Sequence, residues 1–101
     1  MDGVTPARTA MVEAWEEAGI EGESLDFCLG MFSYLKSIGP DVWLPCAVMV
    51  YPVRVRNLTA TFPEAGTRQR KWFSRKKAAR AVAEPELAQI IKNFDPRLLR
   101  R

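Results

Sequence analysis

The chain has 101 residues, 48% of them hydrophobic and 27% charged, with no histidine. That balance excludes an intrinsically disordered segment, and the length gives one domain with a single modest core. The missing histidine removes the commonest general base and transition-metal ligand, so any chemistry falls to carboxylates, Lys, Tyr or Cys. Carboxylates favour hard cations such as Mg2+ or Mn2+.

The net charge of +3 conceals a polarity along the chain. Up to Asp26 the acids are Asp2, Glu13, Glu16, Glu17, Glu21, Glu23 and Asp26, against Arg8 alone. From Thr67 to Ala83 the sign reverses, with Arg68, Arg70, Lys71, Arg75, Lys76, Lys77 and Arg80 and no acid. Such a division suits a metal-bound phosphate ligand, the acids holding the cation and the bases the oxygens; it equally describes two solvated helix faces. The most apolar stretch, Trp43 to Val53, is broken by Pro45 and Pro52 and is too short for a membrane span. The start lacks a signal-peptide pattern, so a cytoplasmic location is expected, with Cys28 and Cys46 as reduced core residues.

In chain order, Thr5-Pro6 opens a helix with a hydroxyl cap and a proline in the first turn, and Gly19 closes it, predicting Pro6 to Ala18. Met11, Ala14, Trp15 and Ala18 form its apolar stripe, with Trp15 expected in the core, and Glu13, Glu16 and Glu17 share the opposite face. Leu25 to Leu35 and Trp43 to Val55 read as two strands, joined by a turn at Ser37 to Asp41. Pro63 to Gln69 reads as a loop, in which Glu64 is a turn residue or an additional acid. Lys71-Trp72-Phe73 is a short extended piece leading to a helix capped by Ser74, about Arg75 to Val82. A last helix follows Glu84-Pro85, packing through Leu87, Ile90, Ile91 and Phe94, and a basic tail runs from Arg97 to Arg101.

The string Val12-Glu13-Ala14-Trp15-Glu16-Glu17-Ala18-Gly19-Ile20 resembles the second half of the Nudix box, which ends R-E-U-x-E-E-x-G-U with U apolar. Carboxylates at i, i+3 and i+4 meet on one helical patch, where they can bind divalent cations against a diphosphate. The stretch from Phe62 to Ser74, through Arg68-Gln69-Arg70 and Trp72-Phe73 and on to Lys77-Ala78-Ala79, is similar to the diphosphoinositol polyphosphate phosphohydrolase-like branch of that family. Two positions depart from the pattern: Val12 replaces the box arginine, and Val4 stands where a further box glutamate belongs. The glycine that opens the box would fall before Met1.

The resemblance implies a single, partial Nudix domain over residues 1–101, an α/β/α sandwich with a mixed sheet lacking its N-terminal strands. It implies metal-assisted hydrolysis of a diphosphate linkage in a nucleoside-diphosphate-like or diphosphoinositol-polyphosphate-like substrate, with Mg2+ or Mn2+ as cofactor. Carried over by position, Glu13, Glu16 and Glu17 are the catalytic and metal-binding acids, and Arg68 and Arg70 bind substrate phosphate. Loss of the flanking strands exposes a sheet edge and predicts a homo-oligomer. An inactive relative that binds phosphorylated ligands or a partner chain is the alternative reading. A nucleic-acid module using the basic run with Trp72 and Phe73 is a third, opposed by the acidic first helix.

Overall fold

A computed structural model describes residues 5–97. Helix α1 covers Pro6–Ala18, and β1 (Ile20–Ser24), β2 (Gly30–Gly39), β3 (Val42–Val50) and β4 (Val53–Leu58) follow. Two further helices, α2 (Arg75–Ala81) and α3 (Pro85–Asn93), complete the chain. The anticipated α/β class holds, with its strands arranged as two antiparallel pairs, β1 with β4 and β2 with β3. Val4 and the tail beyond Arg97 lie outside the described residues, so the readings placed there are not described further.

The helix ends follow the local chemistry that marked them. The Thr5 hydroxyl accepts from the Arg8 amide at 3.2 Å, and Gly19 adopts φ 66°, the left-handed conformation of a C-cap. Ser74 caps α2 by accepting from the Lys77 amide at 3.2 Å. Pro40 and Asp41, with Asp41 at φ 57°, turn β2 into β3, as an aspartate can in a two-residue connection.

The strand reading needs correction. The second strand is two strands, because Tyr51-Pro52 interrupts the ladder and sends β4 to a different partner. Proline cannot donate to a ladder, so the break falls where the sequence carries one. The first strand starts later, at Gly30. β1 was not anticipated, because Ile20-Glu21-Gly22-Glu23-Ser24 has little strand propensity and owes its conformation to pairing with β4, with a bulge at Glu21/Gly22.

Burial is shallow. Among the described residues the buried hydrophobic side chains are Ala7 and Phe62. Trp15 is 41% exposed, correcting the expectation that it lies in the core, whereas Ala7 on the same helix is 3% exposed. Cys28, between β1 and β2, is exposed and Cys46, in β3, is half-buried, correcting the expectation that both lie in the core. The β2–β3 hairpin leaves Met31, Leu35, Ile38, Trp43 and Leu44 largely in solvent. Helix α3 covers part of β2, with Ile90 against Gly30 and the Glu86 carboxylate accepting from the Ser33 amide at 3.3 Å. No helix among the described residues is long and apolar enough to cross a membrane.

Asp95, just after α3, accepts from the Arg97 side chain at 3.0 and 3.1 Å and from the Arg97 amide at 3.0 Å. The side-chain hydrogen bond first, then the backbone one, hold its carboxyl below the ordinary aspartate value. A depressed folded-state value contributes stability above the unfolded value that is lost as pH falls through the folded one. NMR titration is expected to find Asp95 ionising at lower pH in the native protein than in Arg97→Ala; identical midpoints would contradict the pairing.

Candidate functional site

The C-terminal turn of α1 carries the acids. Glu16 and Glu17 lie at the negative end of the helix dipole, which disfavours them, and the last turn contains no base to compensate. Compensation comes from the loop after β4, which folds back over this turn. The Thr59 amide donates to the Gly19 carbonyl at 2.9 Å, and the Glu64 amide to the Glu16 carbonyl at 3.0 Å. Phe62, 8% exposed, packs where any Cβ at Gly19 would stand, 2.5 Å from its Cδ1.

Two arginines close the arrangement. Arg68 donates from Nε to Glu64 Oε1 and from Nη2 to Glu17 Oε1, both at 2.9 Å. The hydrogen bond to Glu64, followed by the charges of Glu64 and Glu17, raises the guanidinium above its ordinary value. Arg70 donates from Nη1 to the Ala18 carbonyl at 3.0 Å, placing a cation at the dipole's negative end, and its guanidinium sits 5.1 Å from the Phe62 ring centroid.

Each sequence-predicted residue is therefore placed. Glu17, Arg68 and Arg70 come together around the end of α1, while Glu13 and Glu16 are exposed on the same helix and take no side-chain partner among the described residues. Glu64 acts both ways, as a turn residue whose carbonyl accepts from Thr67 and as an acid bound to Arg68. The sequence signal for that pairing is its i, i+4 spacing from Arg68. The link from Arg68 to Glu17, 51 residues apart, has no local signal.

The donors suit a hard divalent cation in kind, being carboxylate oxygens only, and each of Glu17 and Glu64 binds Arg68 through a single oxygen. They are not gathered into a cage: among the described residues no three His, Cys, Asp or Glu side chains stand where they could hold an ion together. Arg68 is what joins Glu17 to Glu64. Beside this turn lies a cleft of about 770 Å3, lined by Ala18, Ile20, Leu58, Arg70, Lys71 and Trp72, with Trp72 74% exposed.

An acidic helix end thus faces a basic loop and a cleft lined in part by aromatic side chains. Over 84 residues the chain is 34% identical to Nudix hydrolase 16, mitochondrial, of Arabidopsis thaliana, a match covering 80% of this chain and 46% of that protein. The chain thus spans about half the length of the curated relative it matches. The similarity supports kinship with the Nudix hydrolases. No protein-family profile and no solved structure matches the chain.

The loop clamp is exposed, so its individual bonds are worth little. Arg68→Ala is expected to lower stability only slightly, since both its ion pairs are half in solvent. Urea denaturation measures this; a midpoint far below that of wild type would mean that the loop depends on Arg68 alone.

Proposed function

We propose that the chain is a divalent-cation-dependent phosphohydrolase of Nudix type acting on a diphosphate linkage. The observation that carries the proposal is the convergence of Glu17, Glu64 and Arg68 at the end of α1, beside the cleft bearing Arg70 and Trp72. Glu17, with Glu13 or Glu16 of the same helix, would supply carboxylate oxygens to Mg2+ or Mn2+, water and substrate phosphate completing the coordination. Bound there, the ion would polarise phosphoryl oxygens and lower the pKa of water.

The remaining work belongs to the side chains. Of the five N–H donors of a guanidinium, Arg68 spends two on Glu64 and Glu17, and Arg70 spends one on Ala18, leaving the others for phosphate oxygens. Both arginines are thereby held in place before a ligand arrives, which lowers the ordering cost of binding. Trp72 offers an exposed ring at the cleft for a planar group on the substrate, which favours a nucleoside-diphosphate-like compound over a diphosphoinositol-polyphosphate-like one.

Release of phosphate or a nucleoside monophosphate from a panel of diphosphate compounds, with and without Mg2+, tests the proposal. Metal-dependent turnover of at least one nucleoside-diphosphate compound is expected; binding without turnover of any would favour a second reading. That reading is an inactive relative that binds phosphorylated ligands, and its support is that Arg68 already pairs with both Glu17 and Glu64 while Val12, 54% exposed, supplies no charge to the acidic face.

We also propose that copies of the chain associate through the β2–β3 hairpin. Neither outer edge of that hairpin has a strand partner among the described residues, and it exposes Met31, Leu35, Ile38, Trp43 and Leu44. Light scattering after size exclusion is expected to give a mass above one chain at micromolar concentration; a stable monomer would contradict it.

A further inference from the structure

Helices α2 and α3 lie side by side and enclose a groove of about 570 Å3 on the face away from β2. Its walls carry Lys76 and Arg80 from α2 and Lys92 from α3, over a floor of Ala79, Pro85 and Ala88. No acid lines it. The acids nearest in sequence are Glu84 and Glu86; neither borders the groove, and Glu86 is turned to the Ser33 amide of β2.

Three neighbouring bases are engaged elsewhere: Arg75 donates to the Phe94 carbonyl, Arg97 to Asp95, and Lys71 lies over Phe73, while Lys77 does not border the groove. The side chains of Lys76, Arg80 and Lys92 take part in no ion pair or hydrogen bond among the described residues. Lys76 and Arg80 are four apart on a helix of 7 residues with no acid in its first turn, a like-charge spacing that costs helix stability. An anion seated between the helices would remove that repulsion and satisfy all three cations.

We propose that this groove is a second anion site, separate from the acids of α1, that takes a compact chain of two or more phosphates. Three cations around a small pocket match adjacent phosphates, each able to accept charge-assisted hydrogen bonds. No aromatic ring lines the groove, so recognition is by charge and not by base stacking, which favours a compact polyphosphate over a nucleic-acid strand. The site stands whether or not the hydrolase reading does, because it shares no residue with it.

Calorimetry with inorganic tripolyphosphate, in excess chelator so that no divalent cation contributes, tests the site on the full chain. Binding is expected to weaken about tenfold or more in the Arg80→Ala/Lys92→Ala double variant and to fall as salt rises. It is expected to persist in Arg68→Ala, which alters the loop beside α1. All three cations are exposed, so an unchanged circular dichroism spectrum will show that the variants fold. The proposal is overturned if wild type does not bind, if the double variant binds as wild type does, or if Arg68→Ala removes the binding instead. Tighter binding of a single-stranded oligonucleotide that also depends on Arg80 and Lys92 would overturn the compact ligand and assign the groove to nucleic acid.

Discussion

Glu17→Gln is expected to lower metal-dependent hydrolysis by on the order of 100-fold, with little change in fold. The substitution keeps the size of the side chain and its ability to accept from Arg68 at 2.9 Å, but removes the charge that a divalent cation requires. Its structural cost is small, because the ion pair is 50% and 44% exposed on its two sides. Arg68→Ala breaks the same pair from the other side while leaving the carboxylate intact. If Glu17 acts only through the pair, the two variants lose activity equally. If Glu17 works on the cation, Glu17→Gln loses kcat, whereas Arg68→Ala loses mainly substrate affinity and raises KM. Steady-state kinetics of the two variants side by side decides between these roles.

The largest effect on stability is expected at Gly19. Its φ of 66° costs any L residue about 1 to 2 kcal/mol. A side chain there also meets Phe62 Cδ1 at 2.5 Å and the Thr59 carbonyl at 2.8 Å. The second contact is with backbone that already accepts no freedom to move, since the Thr59 amide is bonded to Gly19 itself. Overpacking of this kind adds about 1 to 3 kcal/mol. Gly19→Val should therefore lose several kcal/mol, a large share of the roughly 5 to 15 kcal/mol by which domains are stable. Gly66→Ala is the control, because nothing lies within 4 Å of the added atom. A urea midpoint for Gly19→Val equal to that of Gly66→Ala would show that the loop does not close over α1.

The same residue explains why part of the molecule was legible in the sequence. Gly19, Thr5, Ser74 and Glu84-Pro85 mark helix ends by local chemistry, and the helices begin and end where those residues direct. Strand β1 was not legible, because a stretch holding two glutamates and a glycine becomes a strand only against β4. The split between β3 and β4 was half legible: Pro52 warned of an irregularity, but the change of partner is a tertiary fact. Trp15 was misplaced for a related reason. Periodicity identifies a stripe and not how far its cover extends, and among the described residues the cover reaches Ala7 more fully than Trp15.

For the candidate site, residue types were legible and their partnerships were not. The i, i+3, i+4 spacing puts Glu13, Glu16 and Glu17 on one side of α1 by helix geometry alone. Nothing local indicates that Arg68 reaches Glu17 or that Arg70 caps the helix through Ala18. Those contacts follow from the Thr59 and Glu64 backbone bonds that lay the loop across the helix end. The loop thus supplies the positive charge that the last turn of α1 lacks, and brings with it the arginines that the proposed chemistry needs.

Whether the acids of α1 take a divalent cation is settled most directly by paramagnetic broadening. Mn2+ added at substoichiometric levels to uniformly 15N-labelled protein should selectively broaden the amides from Glu13 to Gly19 and that of Glu64, and Glu17→Gln should weaken the effect. Resonances of α1 that stay sharp while others broaden, or broadening identical in the variant, would contradict a cation site at the end of this helix.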